Sequence, residues 1–174
     1  MGRPRGARGG GRLSIAYAAV SSPIGDLLVA CSPRGLLRIG LPAEDPDAVL
    51  GELEGEASEA PNRVAAASRE LDEYFAGRRR EFTLPLDWSN ARGFRLRVLE
   101  AMSRLPYGET VTYTELAARA GNARAPRAAG RACATNPIPI VVPCHRVVGS
   151  DGSLRGYTGG LHYKEFLLRL EGVL

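Results

Sequence analysis

The chain has 174 residues and a formal net charge of +4 at pH 7, long enough to bury a sound core as one domain or two small ones. No apolar run approaches a membrane span, and residues 1–12, rich in Gly and Arg with no apolar centre, do not read as a secretory signal. Cys31, Cys133 and Cys144 show no C-x-x-C or zinc spacing, which argues against a disulfide scaffold and places the chain by default in a reducing cytoplasm.

The elements are predicted in chain order. Residues 1–12 read as a disordered basic arm. Residues 13–20, 26–31 and 35–41 are short apolar strands split by Ser-, Pro- and Gly-bearing turns, so they predict an antiparallel meander. A weak amphipathic helix is expected over 45–55. A stronger one spans 64–76, with Leu71, Tyr74 and Phe75 on one side and Glu70, Asp72 and Glu73 on the other. Gly77 stops it, and residues 81–88 read as a strand leading out. The hinge falls at 89–93. A helix follows over 94–105, with Leu96, Leu99 and Met102 on one stripe. Thr112 or Thr114 can cap the next helix, through Ala120, with Glu115 in its first turn. Pro126 opens another, over 124–134, in a helix-turn-helix pattern. The final helix spans 161–171 and is expected to bury Phe166, Leu167 and Leu170.

Charge divides along the same line. Residues 1–12 hold four arginines and no acid. Residues 13–90 hold seven basic and thirteen acidic side chains, and residues 91–174 hold twelve and six. A basic half beside an acidic one points to a polyanion partner for the basic half. The helix over 124–134 carries Arg124, Arg127 and Arg131 among small residues such as Ala128. Small residues permit close approach, and arginines find phosphates and base edges. Tight helix packing with solvated arginines is the plainer alternative.

The stretch that carries chemistry is 136–146, N-P-I-P-I-V-V-P-C-H-R. Its three prolines predict a stiff extended segment that delivers Cys144, His145 and Arg146. A thiol beside an imidazole and a guanidinium has a proton acceptor and a positive charge at hand, as a nucleophile needs. The bland alternative is a small buried core cysteine.

The segment P-C-H-R-V-V-G resembles the active-site signature of the O6-alkylguanine-DNA alkyltransferases. Four further blocks, in order, resemble that family: R-L-P-Y-G-E-T-V-T-Y, R-A-A-G-R-A-C-A-T-N-P, G-Y-T-G-G-L and L-L-R-L-E-G. Together they cover roughly residues 94–172. The resemblance implies an α+β chain: a small ribonuclease H-like α/β scaffold over 13–88, then a mainly helical domain with a helix-turn-helix over 89–174. Some members hold a structural zinc in the first domain through Cys and His. No His stands there in this chain, so neither metal nor cofactor is expected.

The resemblance also implies roles. Cys144 accepts the alkyl group, irreversibly and once per molecule. His145, oriented by Glu171, takes the thiol proton. Adjacent residues on a strand point to opposite faces, which makes direct Cys144–His145 contact awkward and calls for a bridging water. Tyr113 protonates the leaving guanine at N3. Backbone groups of Cys144, Val147 and Thr158 read the base, and Tyr157 and Pro139 wall the pocket. Asn136 ties the recognition helix to the active-site segment. Arg127 fills the stack vacated by a flipped base, with Thr112, Arg124, Ala128 and Arg131 on the surface that meets the minor groove. Arg146 holds loops together. Arg95 and Leu99 stand where the family often has Gln and Trp, at packing or surface positions. The partner implied is double-stranded DNA containing O6-alkylguanine, met by a monomer. A Cys-His hydrolase and a DNA-binding relative that lacks the nucleophile are the competing classes; Cys144 argues against the second.

Overall fold

The computed structural model describes residues 12–174. The expected basic arm lies outside the described residues, Arg12 excepted. β1 (Ser14–Val20), β2 (Leu27–Ser32) and β3 (Gly35–Gly40) form the anticipated antiparallel meander. Their alternation sends Ala16, Ala18, Val20, Val29 and Ile39 into the main core, while Ile15, Ala30 and Leu37 form a small cluster of their own. α1 (Pro46–Gly51) is capped by Asp45, whose side chain accepts from the Asp47 N–H.

The sheet has a fourth strand that no sequence signal announced. β4 (Glu56–Glu59) pairs in parallel with β1, giving the order β3-β2-β1-β4. All four of its residues are exposed, so the strand lacks the alternation that marks a half-buried one. α2 (Ala65–Phe75) then adds Ala67, Leu71 and Tyr74 to the core. Gly77, at φ +71°, ends it in the left-handed region that favours glycine.

The strand expected over 81–88 does not form. Only Leu36 and Leu86 make a bridge, with Leu36 N–H donating to Pro85 O and Asp87 N–H donating to Leu36 O. Pro85 has no N–H to extend a ladder, and the Thr83 backbone and hydroxyl are drawn instead to the buried Glu70 carboxylate.

The second half holds α3 (Gly93–Ser103), β5 (Val111–Thr112), α4 (Tyr113–Arg119), α5 (Pro126–Ala134), β6 (Val147–Val148) and α6 (Leu161–Leu170). Thr112 is the cap of α4, in a full capping box with Glu115. α3, α4 and α5 pack mutually, and a short turn joins α4 to α5. β5 and β6 pair in parallel at Val111↔Val147 and Thr112↔Val148. That register sets Leu105–Gly108 beside the turn that precedes β6. In α6 the buried residues are Lys164, Leu167 and Leu168; Phe166 is exposed, against expectation, because it lies a residue off the buried stripe.

The two halves share one hydrophobic core, from Val20 and Leu71 through Leu99 and Met102 to Val142 and Leu167. The edge of the sheet also reaches the second half directly: Ile39 N–H donates to Pro137 O at 2.9 Å.

Candidate active site

The segment 136–146 is not extended. Val141 N–H donates to Pro139 O across Ile140, whose φ is +75°, and Cys144 N–H donates to Val142 O across Pro143. These are two γ-turns, the first of the strained, positive-φ kind. Val142 N–H closes a wider turn onto Ile138 O. The extended run expected from the three prolines is replaced by these turns, the first beginning at Pro139 and the second centred on Pro143. Asn136 staples the fold from inside: its Nδ2 donates to Val142 O at 2.7 Å and its Oδ1 accepts from Ile138 N–H at 3.0 Å. A β-branched residue at positive φ costs on the order of 1–3 kcal/mol, so the fully buried Ile140 side chain and the Asn136 staple must outweigh that strain.

Cys144, His145 and Arg146 therefore stand on a 3-10 turn, not a strand. This removes the opposite-faces difficulty, yet no hydrogen bond joins Cys144 to His145. His145 is fully buried, with Nε2 2.7 Å from Glu171 Oε1. A carboxylate oxygen can only accept, so Nε2 carries the proton and Nδ1 presents a lone pair. Among the described residues Nδ1 has no hydrogen-bond partner. That is the tautomer a general base requires.

Glu171 caps the C-terminal end of α6, where a negative charge is disfavoured by the helix dipole. Five donors offset this. Oε1 accepts from His145 Nε2, from Arg146 Nη2 at 2.8 Å and from Tyr74 Oη at 2.7 Å. Oε2 accepts from Arg146 Nε at 2.9 Å and Gly108 N–H at 3.2 Å. Gly108 has φ +76°, which turns its N–H onto the carboxylate, and a Cβ there would lie 3.2 Å from Glu171 O. Burial alone would raise the Glu171 pKa, but the hydrogen bonds from His145 and Arg146 and the charge of Arg146 carry it well below the usual carboxylate range. Burial pushes the His145 pKa down against the pull of Glu171. Arg146 plays the structural part expected of it: Nη1 donates to Leu105 O at 2.5 Å, tying the loop before β5 to the turn before β6.

The thiols are unlike one another. Burial pushes Cys133 up to about 12, which keeps it a thiol. Burial also raises Cys144, but Asn136, Lys164 and Tyr157 all favour its thiolate. Among the described residues the Tyr157 hydroxyl has no hydrogen-bond partner, and it lines the same cavity as Cys144. Lys164 is the chain's one lysine. It is buried, with Nζ donating to Val147 O at 2.5 Å and to Arg155 O at 3.3 Å.

Cys144 opens onto a cavity of about 400 Å³ lined by Tyr113, Gly130, Cys133, Gly156, Tyr157 and Thr158. Tyr113 is half-buried, and burial pushes its hydroxyl up to about 12, so it holds a proton to give. Val147 and Pro139 are buried and do not line this cavity. The carbonyl of Val147 already accepts from Lys164, and Pro139 faces a neighbouring cleft with Thr158. The Cys144 N–H is spent within its γ-turn, so it is not free to read a base. Arg127 and Arg131 are exposed along α5 and Arg124 in the turn before it, since the helix expected over 124–134 begins at Pro126; Ala128 and Thr112 are half-buried. Sequence reasoning missed Tyr74, Gly108 and Lys164. The last had a signal, a single lysine placed mid-helix on the apolar stripe; the first two had none, since each acts through a distant partner.

Fold and site together define a protein with a cysteine on a cavity that is partly walled by a short arginine-bearing helix. Residues 93–173 match the family described as 6-O-methylguanine DNA methyltransferase, DNA binding domain, and residues 15–88 match its ribonuclease-like domain. A methylated-DNA–protein-cysteine methyltransferase of Methanosarcina acetivorans is 42% identical over 161 residues, covering 90% of this chain and 97% of the relative. The constitutive enzyme of that name from Bacillus subtilis is 40% identical over 159 residues, covering 90% and 95%. The crystal structure of Mycobacterium tuberculosis OGT in complex with DNA superposes with a TM-score of 0.78 at 37% identity, covering 91% of this chain and 92% of that one. The chain belongs to the 6-O-methylguanine DNA methyltransferase family.

Proposed function

We propose that this chain repairs O6-alkylguanine in duplex DNA by moving the alkyl group to Cys144 Sγ, once per molecule. The observation that carries this is the Cys144 thiol at the cavity wall, raised by burial but with Asn136, Lys164 and Tyr157 working against that rise, on the same turn as the neutral His145. The thiol proton passes to His145 Nδ1 through a bridging water. Sγ attacks the carbon on O6, an S–C bond forms, and the C–O bond breaks. The guanine leaves as an anion and is neutralised at N3 by the Tyr113 hydroxyl, which recovers a proton from solvent.

A base inside the stack cannot reach a buried thiol, so it must be flipped. α5 supports that reading: Arg127 is exposed to fill the gap, with Arg124 and Arg131 for phosphates and Ala128 and Gly130 for close approach to the minor groove. Asn136 links the end of α5 to the turn carrying Cys144, so DNA bound on α5 bears directly on the site. Thr158 and Tyr157 hold the base, with Val147 and Pro139 supporting the walls from behind. Metal and cofactor are not called upon. A free nucleophilic thiol suits the reducing cytoplasm.

The experiment is incubation with a duplex containing O6-methylguanine, followed by peptide mass measurement. One added methyl on Cys144 is expected, and Cys144→Ser should bind the duplex and transfer nothing. A methyl mapped to Cys31 or Cys133, or none at all, would overturn the proposal.

A further inference from the structure

We propose that Tyr74, on α2 of the N-terminal half, is a positioning residue for alkyl transfer. Its hydroxyl holds the Glu171 carboxylate that orients His145, so the first half of the chain completes the active site instead of only carrying it. This rests on the reading of Cys144 and His145 given above.

The geometry is specific. Tyr74 is fully buried and its Oη donates to Glu171 Oε1 at 2.7 Å, across 97 residues of chain. Its ring is boxed by Phe75, Phe82 and Tyr107, with centroids 5.4, 5.4 and 6.1 Å away, which leaves the hydroxyl little freedom to turn elsewhere. Oε1 is also the oxygen that His145 Nε2 contacts, so tyrosine and imidazole share one acceptor. The remaining donors to Glu171, namely Arg146 and Gly108, come from the second half. Tyr74 is thus the contribution of α2 to the network, beside the tie from β3 to Pro137.

Sharing has a direction. A hydroxyl on Oε1 draws charge away from the imidazole, so Glu171 orients His145 without making it too basic to release its proton. Burial and the Glu171 charge push the Tyr74 pKa far above its ordinary value, so it acts as a fixed donor and never as a base. The other charged or titratable groups at His145 are Arg146 on its own turn, Lys164 on α6 and Cys144.

The test is single-turnover methyl transfer by wild type, Tyr74→Phe, Glu171→Gln and the double variant, on free O6-methylguanine and on methylated duplex, across pH. Rate constants do not depend on the folded fraction, which changes only amplitude. Tyr74→Phe should slow both substrates by about tenfold, the scale of losing a group that orients a reactive side chain. It should also move the acid limb of the rate profile to higher pH, because His145 then has a less shared partner. In the Glu171→Gln background it should have little further effect. An unchanged rate and pH profile, a loss confined to duplex, or losses that multiply fully with Glu171→Gln would each overturn the proposal. A wild-type protein that transfers nothing to Cys144 would instead overturn the function on which it rests.

Discussion

Glu171 shows how a residue disfavoured by its local setting becomes the centre of a site. At the end of α6 the helix dipole opposes it, yet five donors converge on two oxygens. Its consequence for stability follows from sign. The folded-state pKa of Glu171 is depressed from the ordinary 4.5, so the unfolded chain binds more protons in acid and the stabilisation is lost as pH falls below that value. His145, depressed from 6.5, acts in the same sense at higher pH: folded, it stays neutral where the unfolded chain would protonate. The melting temperature should fall steadily as pH drops from about 7 to 3. Glu171→Gln should flatten the lower part of that fall while lowering stability at pH 7 by about 3–5 kcal/mol, since Arg146 is left buried without its counter-charge. Melting curves of both proteins across that range check it; parallel acid limbs would show that Glu171 does not carry the effect. The pairing of Glu171 with His145 was legible from L-L-R-L-E-G only because a known family carries it. Tyr74 and Gly108 were not, because a hydrogen bond across 97 or 63 residues leaves no mark in local pattern.

Elements were legible where one face is buried and illegible where it is not. α2, α4, α5 and α6 announce themselves through apolar stripes, caps and Pro126. β4, wholly exposed, has nothing to announce. The prolines of 136–146 proclaim rigidity but not direction, and only the Asn136 staple and the positive φ of Ile140 show that the chain coils back on itself. α5 serves two faces at once. Ala129, Ala132 and Cys133 are buried against α3 and α4, while Arg124, Arg127 and Arg131 stand in solvent beside its start and along its outer face. Arg127→Ala should therefore leave the fold intact, within about 0.5 kcal/mol as for surface changes generally. It should slow repair of duplex DNA at least about tenfold while leaving reaction with the free base near wild type, since only the duplex requires extrusion of the base. Rate constants on the two substrates decide this, and equal losses on both would remove Arg127 from the flipping step.

At the scale of the whole molecule, the two halves share a core and, among the described residues, two polar ties, Ile39 to Pro137 and Tyr74 to Glu171, and both ties end on segments that hold the turn of Cys144. A change at Cys144 is therefore placed to be felt across the protein. Reaction supplies such a change. A thioether is a poor leaving group, and among the described residues the other thiol on the cavity, Cys133, is held protonated by burial, so on the proposed function alkylated Cys144 is expected to be an end product. The sulfur lies on a cavity shared with Tyr157 and with Gly130 and Cys133 of α5, and Asn136 and Tyr157 favour its charged form against the effect of burial. A methyl on sulfur gives those polar neighbours a weaker acceptor and adds volume beside a turn already strained at Ile140. Extra methyl groups in well-packed sites typically cost about 1–3 kcal/mol. For a chain of this length that corresponds to a melting temperature lower by roughly 2–10 °C. The alkylated protein should also be cleaved faster by protease, because the population of open states rises by the same free energy. Titration with excess methylated duplex, counting methyls transferred per active molecule and then melting the product freed of DNA, tests both parts. More than one methyl per molecule would end the single-turnover reading. A product that melts at the temperature of the free protein would show that the cavity absorbs the methyl group without strain.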